Sequence, residues 1–311
     1  MKPILSIGDL VADIVVSIPN LPAEAGRHQV ASELRLEPGG GANFLIAGAR
    51  LGQPMAALGA LGDDTWGWQV ADILHAESID LAGVSHNGAT TVVIVLVGQQ
   101  GDHVFLGKYG HGGKIDFSPA AAALVEQAGA VYCAGYTLCE ARLIELALAA
   151  LRHARQMGVP VYFDPGPQMA AVPATVRDAL LPLVDVLLAT EDELPLVVPG
   201  GAIAGVLAAG PQLLVLKRGP AGCALYAANG LLLESPGLAV PVMDTSAAGD
   251  SFNAAFIAGR LRGWPLADCA RLANAVGAAK VQKLGGGRSV PTLAEVRQVL
   301  AQFSLSLPET L

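Results

Sequence analysis

The stretch "DTSAAGDSFNAAF", residues 244–256, sets two aspartates around small residues and continues into an apolar, alanine-rich segment. The strand-like run "AVPVM" precedes it, so the pattern predicts a strand, a turn and a helix. The first backbone N–H groups of a helix lack partners within the helix, and the helix dipole adds partial positive charge there. The small residues Ala247, Ala248 and Gly249 would let a phosphate group approach those N–H groups.

The second aspartate, Asp250, falls in the first turn of this predicted helix. A carboxylate beside a transferring phosphoryl group is suited to take the proton from an attacking hydroxyl. Ordinary helix capping explains the same residues equally simply, because Asp favours helix starts. These residues alone leave both interpretations open.

A second stretch, "EPGGGANFLIAGARLG" at 37–52, places three glycines before Asn43 and a predicted helix. Glycine lets the backbone approach a ligand closely, and the amide of Asn43 can bond hydroxyl groups with both of its ends. The alternative is a simple turn between a strand and a helix.

Two further stretches place polar residues directly after apolar strands. In "LLATEDEL", Glu193 could orient a hydrated Mg²⁺, and the alternative is an acidic first helical turn. In "LKRGPAGCALY", Lys217 could face a phosphate beside Gly219 and Gly222, and the alternative is a β-turn. Ligands of open α/β sheets bind at the carboxyl ends of strands, which is where Glu193 is predicted to lie, and these residues alone leave both interpretations of each stretch open.

The composition excludes several classes of protein. The 311 residues are 52% hydrophobic, with a net charge of -8 and a pI of about 5.2, so neither a nucleic-acid partner nor a membrane partner is predicted. The amino-terminal sequence does not resemble a signal peptide, and no apolar run is long enough to span a membrane. The four cysteines have no zinc-site spacing and are predicted to be reduced thiols of a cytoplasmic protein: Cys133, Cys139, Cys223 and Cys269.

The order of predicted elements indicates an α/β fold. Predicted strands at 4–10, 12–18 and 28–37 are followed by a helix at 42–52, a strand at 55–62 and a helix at 64–79, and 90–108 is predicted to be a hairpin with the turn "GQQGD". Predicted helices near 119–128, 140–157, 173–183, 247–261, 265–284 and 292–303 then alternate with predicted strands at 130–135, 159–165, 184–190, 212–219 and 222–227. Such alternation predicts a mostly parallel sheet covered on both faces. The β-rich pieces 9–37 and 88–109 are predicted to form a small separate sheet, within a single domain of residues 1–311.

In their order along the chain, these stretches resemble the ribokinase-like (PfkB) family of carbohydrate kinases. "EPGGGANFLIAGARLG" with "LGALGDDTWG" resembles the amino-terminal pattern of that family, and "MDTSAAGDSF" resembles its carboxyl-terminal pattern. The resemblance implies a three-layer α/β/α fold with a mostly parallel central sheet and a small β-sheet lid.

The resemblance also implies roles for individual residues. Asp250 matches the catalytic base, and the backbone of Ala247, Ala248 and Gly249 matches the anion hole. The remaining positions match three groups of family residues: Asp13, Gly39, Gly40, Asn43 and Glu140 for the sugar; Thr190, Lys217, Gly219, Gly222 and Asn274 for the nucleotide; and Asp244, Ser246, Gly285 and Ser289 for a monovalent cation, with Glu193 for Mg²⁺.

Three departures from the family pattern affect these expectations. Thr190 stands where the family usually has Asn, so contacts to phosphate or to Mg²⁺-bound water differ there. The interval between the glycines and Asn43 is one residue short, which leaves the glycine that faces the sugar undecided. "KYGHGG" at 108–113 replaces the common stretch near the sugar, so the acceptor need not be ribose.

The function implied by the resemblance is transfer of the γ-phosphoryl group of ATP to a primary hydroxyl of a pentose or hexose. Mg²⁺ and K⁺ are the implied cofactors, and a homodimer joined through the lids is the implied assembly. Three alternatives stay open. A nucleoside kinase would use Phe105 and Tyr109 to stack a base, a sugar-phosphate kinase would use cations among Arg27, Arg35, Lys108 and Lys114, and a relative that lost its chemistry would only bind sugar.

Overall fold

The structure, a computed structural model, describes residues 1–98 and 102–308 and has two sheets. Its strands are β1 Ile4–Ser17, β2 Glu33–Gly40, β3 Met55–Leu61, β4 Asp80–His86, β5 Thr91–Val97, β6 His103–Lys108, β7 Ala130–Ala134, β8 Val161–Asp164, β9 Val186–Thr190, β10 Leu213–Lys217, β11 Cys223–Ala227 and β12 Gly230–Ser235. Its α-helices are α1 Gly41–Arg50, α2 Thr65–Ala76, α3 Pro119–Gln127, α4 Ala141–Met157, α5 Ala174–Leu180, α6 Leu194–Val197, α7 Ile203–Ala208, α8 Ala248–Leu261, α9 Leu266–Val281 and α10 Leu293–Gln302.

The central sheet contains nine strands in the order β12-β11-β10-β9-β8-β7-β1-β3-β4. From β4 to β10 all neighbours are parallel, and the edge strands β11 and β12 are antiparallel. Strands covered on both faces carry continuous apolar runs, and β3 is buried along its whole length. The predicted three-layer fold is confirmed.

Helices cover both faces of this sheet and form one apolar core on each side. Side chains of α1, α8 and α9, including Phe44, Phe256 and Leu272, build one core. Side chains of α3 and α4, including Val125 and Leu146, build the other. Helix α8, whose start carries the opening motif, packs against α1 and α9, so its amino terminus is held at the edge of the sheet.

The smaller sheet, here called the lid, consists of β2, the second half of β1, β5 and β6. Strand β1 belongs to both sheets: Ile4–Asp9 pairs with β3, and Leu10–Ser17 pairs with β2. The lid is therefore a direct extension of a central strand. The predicted small sheet is confirmed, although residues 99–101 of its predicted turn lie outside the described residues.

Several predicted boundaries were wrong. The strands predicted at 4–10 and 12–18 are one strand, because the turn residues Gly8 and Asp9 lie in extended backbone. The strand predicted from residue 28 begins only at Glu33. The helix predicted at 173–183 ends at Leu180 in a 3₁₀ turn containing Pro182, which cannot continue an α-helical hydrogen-bond pattern. Strands β4 and β12 and helices α6 and α7 were not predicted.

In the described part of the chain, no helix has both the length and the apolarity to cross a bilayer.

Candidate active site

The amino terminus of α8 lies at a cavity of about 600 Å³ between the two sheets. Ala247, the residue before the helix, has left-handed backbone angles (φ 58°, ψ 9°) and provides no side-chain cap. A non-glycine residue in this region costs about 1–3 kcal/mol and persists where the surroundings enforce it. The Ala248 N–H donates to the Thr245 carbonyl at 3.2 Å, but no side chain caps the start of α8, and a helix start of this kind suits an anion.

Asp250 lies in the first turn of α8 and lines the cavity. Burial and the negative charge of Asp164 together raise the pKa of its carboxyl to about 7, although Lys217 and a hydrogen bond from Asn43 oppose the shift. A pKa near neutrality suits a general base, because the group is partly ionised and still basic.

Asp13 enters the same cavity from the lid strand β1. It is paired in register with Glu37 on β2, and Gly39 follows two residues later on that strand. Burial raises the pKa of Asp13 to about 7, with further contributions from the charges of Glu37 and Asp250. Two carboxyl groups with raised pKa values therefore face one space, Asp13 from the lid and Asp250 from the start of helix α8.

Asn43 and the glycines before it complete this wall. Asn43 accepts a 2.7 Å hydrogen bond from the Gly287 N–H through Oδ1, and its amide also bonds Asp250. Gly40 and Gly41 line the cavity, whereas Gly39 lies against the Asp13 carboxylate. Gly39 thus makes room for the Asp13 side chain, whereas Gly40 and Gly41 face the cavity.

The structure does not bring Glu140 into the cavity wall. Its buried carboxylate forms an ion pair with Arg142 and accepts a 3.1 Å hydrogen bond from Thr91 Oγ1. Arg142 also donates to the carbonyl of Asn87 at 2.7 Å, so the pair joins α4 to the start of lid strand β5. Thr91, not Glu140, reaches the cavity, and the sugar contact of Glu140 stays a prediction.

Lys217, at the carboxyl end of β10, lies beside the anion site. Its Nζ is 2.6 Å from Asp164 Oδ2, and a Cβ built on Gly249 would lie 3.7 Å from Nζ. Burial by itself lowers the pKa of Lys217, but the charges of Asp164 and Glu193 outweigh it and raise the pKa above its usual value. A fixed ammonium therefore lies beside Gly249 at the start of α8.

Asp164 was missed by the sequence analysis. It ends the buried strand β8, pairs with Lys217, and accepts hydrogen bonds from Asn253 and from the Gly166 N–H. The signal was present in "VYFDPG", because a carboxylate after an apolar strand of a parallel sheet lies at the ligand-binding edge.

Thr190 and Glu193 form a capping box in the turn after β9. Glu193 accepts a 2.7 Å hydrogen bond from the Thr190 N–H, so ordinary capping accounts for part of this motif. Burial raises the pKa of Glu193, as does the charge of Asp164, and Lys217 opposes the shift.

The carboxylates of Asp164 and Glu193 fit a hydrated Mg²⁺. Within residues 1–98 and 102–308 no three His, Cys, Asp or Glu side chains could hold a metal ion together. Mg²⁺ retains several waters and takes one or two carboxylates beside substrate phosphates, so Asp164 and Glu193 would hold it and it would neutralise phosphate charge.

Three other nucleotide-side positions lie outside the cavity wall. In the turn after β10 no atom approaches within 4 Å of a Cβ built on Gly219, whereas one on Gly222 would meet the Ser235 carbonyl at 2.1 Å. Asn274 donates to Ser235 Oγ at 3.0 Å and to the Pro236 carbonyl at 3.0 Å. Gly222 and Asn274 hold the turn and its neighbouring segment in place, and Gly219 is open to a ligand.

The four predicted cation residues are partly brought together. Asp244 accepts hydrogen bonds of 2.8 Å from both the N–H and the hydroxyl of Ser246, and one of 2.6 Å from the Gly285 N–H. These bonds outweigh burial and lower the pKa of Asp244. Ser289 lies in a 3₁₀ turn, where its N–H donates to the Gly286 carbonyl at 3.0 Å.

The lid supplies an apolar wall to the cavity. Val93, Val95 and Phe105 line it together with Tyr109 and Lys108. Of the other predicted cations, Arg35 pairs with Glu33 at 2.7 Å and with Glu37 at 3.3 Å, and Arg27 pairs with Glu24 at 3.3 Å.

Comparison with known proteins identifies this arrangement. A sequence model of the pfkB family carbohydrate kinase matches residues 1–293. The chain belongs to the pfkB family of carbohydrate kinases. It is 28% identical to the ribokinase of Bacillus subtilis over 307 residues, covering 97% of this chain and 100% of that protein. It is also 28% identical to an ATP-dependent ribose-1-phosphate kinase of Halopiger xanaduensis, covering 97% and 99% of the two chains.

Solved structures agree with this assignment. Arabidopsis thaliana ribokinase complexed with ribose and ATP matches with a TM-score of 0.81 at 27% identity, over 96% of this chain and 98% of that one. A protein from E. coli assigned as ribokinase II, in complex with ATP and Mg²⁺, matches with a TM-score of 0.83 at 25% identity, over 97% and 100%. The prediction that this pfkB kinase is a phosphotransferase enzyme is confirmed.

Proposed function

We propose that this kinase transfers the γ-phosphoryl group of ATP to a primary hydroxyl of a pentose or hexose. The observation that carries the proposal is the placement of Asp250. Its carboxyl, with a pKa of about 7, lines the cavity one residue beyond Gly249, at a helix start that no side chain caps.

Each group has a role in this reaction. Asp13 and Asn43 hold the acceptor hydroxyls, and Asp250 accepts the proton of the attacking hydroxyl. The N–H groups at the start of α8 and the Lys217 ammonium stabilise the negative charge of the transferring group. Preorganised donors of this kind supply most of the rate in phosphoryl transfer.

Cofactors and location follow the same proposal. We assign Mg²⁺, retaining its waters, to Asp164 and Glu193. K⁺ bound near Asp244 would add a positive charge there. The ammonium of Lys280 is a second candidate for that charge, from within the chain.

The cysteines at 133, 139, 223 and 269 are free thiols, which supports the predicted cytoplasmic location.

We also propose that two lids join two copies of the chain in a homodimer. The outward face of the lid carries exposed apolar side chains, including Leu34, Val104 and Leu106, at 70%, 40% and 55% exposure. An exposed apolar sheet face of this kind marks an interaction surface, and a two-fold symmetric pairing would bury it.

Two other classes of acceptor, nucleosides and sugar phosphates, are alternatives to a simple sugar. Phe105 and Tyr109 both line the cavity, which favours a nucleoside as the second candidate. A sugar phosphate has less support, because Arg35 is already paired with two carboxylates and Lys108 is the one predicted cation that lines the cavity. A relative that lost its chemistry would not need to keep both Asp250 and the small residues before it.

An acceptor panel tests the proposal directly. ADP release from ATP and Mg²⁺ would be measured with pentoses, hexoses, their phosphates and nucleosides, against ATP alone as the blank. We expect turnover with a free pentose or hexose. Turnover confined to nucleosides or to sugar phosphates would transfer the assignment to that class, and no release above the blank would contradict kinase activity on these acceptors.

A further inference from the structure

Lys280 is a fully buried cation near the carboxyl end of α9. Its exposure is 0%, and its Nζ donates a 3.0 Å hydrogen bond to the main-chain carbonyl of Lys283. Burying an ammonium is costly unless nearby groups compensate its charge. A lysine at this position therefore requires an explanation beyond packing.

The surroundings of Lys280 are the segment predicted to bind a monovalent cation. The Val281 carbonyl accepts hydrogen bonds from the N–H groups of Met243 and Asp244, which fastens the two segments together. Asp244 in turn bonds Ser246 and Gly285. Burial lowers the pKa of Lys280 to about 8, and the negative charge of Asp244 opposes this shift, so Lys280 and Asp244 interact as opposite charges.

The oxygen atoms of this segment fit an internal donor better than a free ion. K⁺ binds where several carbonyl oxygens replace its hydration shell. Here the Lys283 carbonyl accepts from the Lys280 ammonium, the Val281 carbonyl accepts two N–H groups, and the Asp244 carboxylate accepts three hydrogen bonds. A cation at this place would have to displace the ammonium.

We propose that the Lys280 ammonium replaces the monovalent cation, so that this enzyme does not depend on K⁺. The inference rests on the proposed kinase function for its catalytic consequence. Asp244 connects the ammonium to the anion site, because Asp244 bonds the Ser246 N–H, one residue before Ala247. Because the ammonium is part of the Lys280 side chain, its positive charge stays at this place in any salt.

The first test compares the unmodified enzyme in K⁺ and Na⁺ at fixed ionic strength. We expect equal rates, and equal melting temperatures in the two salts. Crystals soaked in Rb⁺ should show no anomalous peak between Asp244 and the Lys283 carbonyl. Activation by K⁺, or an Rb⁺ peak at that place, would overturn the proposal. The melting and diffraction measurements need no activity, so they decide the question even if the acceptor panel fails.

The second test uses a pair of variants. Lys280→Ala removes the ammonium and leaves space for an ion, whereas Lys280→Met fills the space with an apolar chain. We expect Lys280→Ala to lose about 10²-fold in rate in Na⁺, the scale of losing one electrostatic group, and to regain activity and melting temperature in K⁺. Lys280→Met should lose activity in both salts. Arg271→Ala, on the same helix and paired with Asp268, should respond to neither salt.

A folded Lys280→Ala protein whose activity and melting temperature are the same in both salts would also overturn the proposal. If neither variant folds, the measurements on the unmodified enzyme decide alone.

Discussion

The carboxylate of Asp13 lies directly against the backbone of Gly39, so closely that a Cβ built on Gly39 would meet Oδ2 at 2.1 Å. The two residues stand on paired lid strands, and only a residue without a side chain leaves room for the carboxylate. In Gly39→Ala, Asp13 must therefore move away from the acceptor. We expect the KM for the acceptor to rise about tenfold or more with a smaller change in the KM for ATP, measured by steady-state kinetics.

Gly277→Ala is the matched control for this substitution. A Cβ at Gly277 meets no atom within 4 Å, and the residue lies inside α9, where Ala is preferred to Gly. Its kinetics should be unchanged. An unaltered acceptor KM in Gly39→Ala would show that Asp13 does not hold the acceptor.

Lys217 and Arg218 are neighbours with different expected roles. The Lys217 ammonium faces the anion site, whereas Arg218 pairs with the more exposed Glu234. Lys217→Met should lower kcat/KM for ATP by about 10²–10³-fold, as expected for losing one preorganised charge. Arg218→Met should stay within a few-fold of the unmodified enzyme. Equal losses of kcat/KM in the two variants would contradict a role of Lys217 at the phosphate site.

The stability of the fold should depend on pH through Asp250. Its folded pKa of about 7 lies above the ordinary value of 3.8, so ionisation destabilises the folded state as the pH rises between these values. Asp250→Asn removes that cost, and its gain in the free energy of unfolding should grow from pH 4 to pH 7 and then level off. We expect about 2 kcal/mol or more at pH 8, because each pKa unit corresponds to about 1.4 kcal/mol.

Urea unfolding at pH 5 and pH 8 measures this difference. Asp178→Asn, an exposed substitution on α5, should show no such trend. A gain in Asp250→Asn that is the same at both pH values would contradict the raised pKa.

Local patterns in the sequence predicted most of the central sheet, and they failed where neighbouring segments decide the structure. Pairing with β3 on one side and with β2 on the other holds Gly8 and Asp9 in an extended strand, although Gly-Asp is a common turn signal. Strand β4 escaped prediction because "DLAGVSH" has a weak β pattern, and its pairing with β3 stabilises it. Such long-range contacts override local preference.

In the candidate site, too, local motifs predicted some residues, and long-range contacts determine the others. Asp250, Asn43 and Lys217 follow strong local motifs, and the structure brings them together. Glu140 lies one residue before α4 in sequence, but only the fold reveals that Arg142 and Thr91 already bind its carboxylate. The partnership of Asp164 with Lys217 joins the ends of two different strands, which no spacing rule predicts.

The proposed lid dimer predicts a mass change from one substitution. Leu106 is 55% exposed and lies opposite Ile94 on the outward face of the lid. Leu106→Glu should convert the dimer to a monomer in light scattering at micromolar concentration, because a buried unpaired carboxylate is strongly unfavourable. Leu232→Glu, at 49% exposure on the far edge strand β12, should remain dimeric. A monomeric unmodified protein would contradict the proposed assembly.

Asp250 is proposed to be the general base of this kinase, and kcat of Asp250→Asn measures that role. Asn is nearly the same size and keeps a hydrogen bond to the acceptor, but it cannot take the proton. With the acceptor identified by the ADP-release panel, we expect a kcat about 10²–10⁴-fold below that of the unmodified enzyme, with the fold intact by circular dichroism. A folded Asp250→Asn enzyme with kcat within about threefold of the unmodified enzyme, far less than the loss of a general base should cost, would contradict it and leave Asp250 as a helix cap.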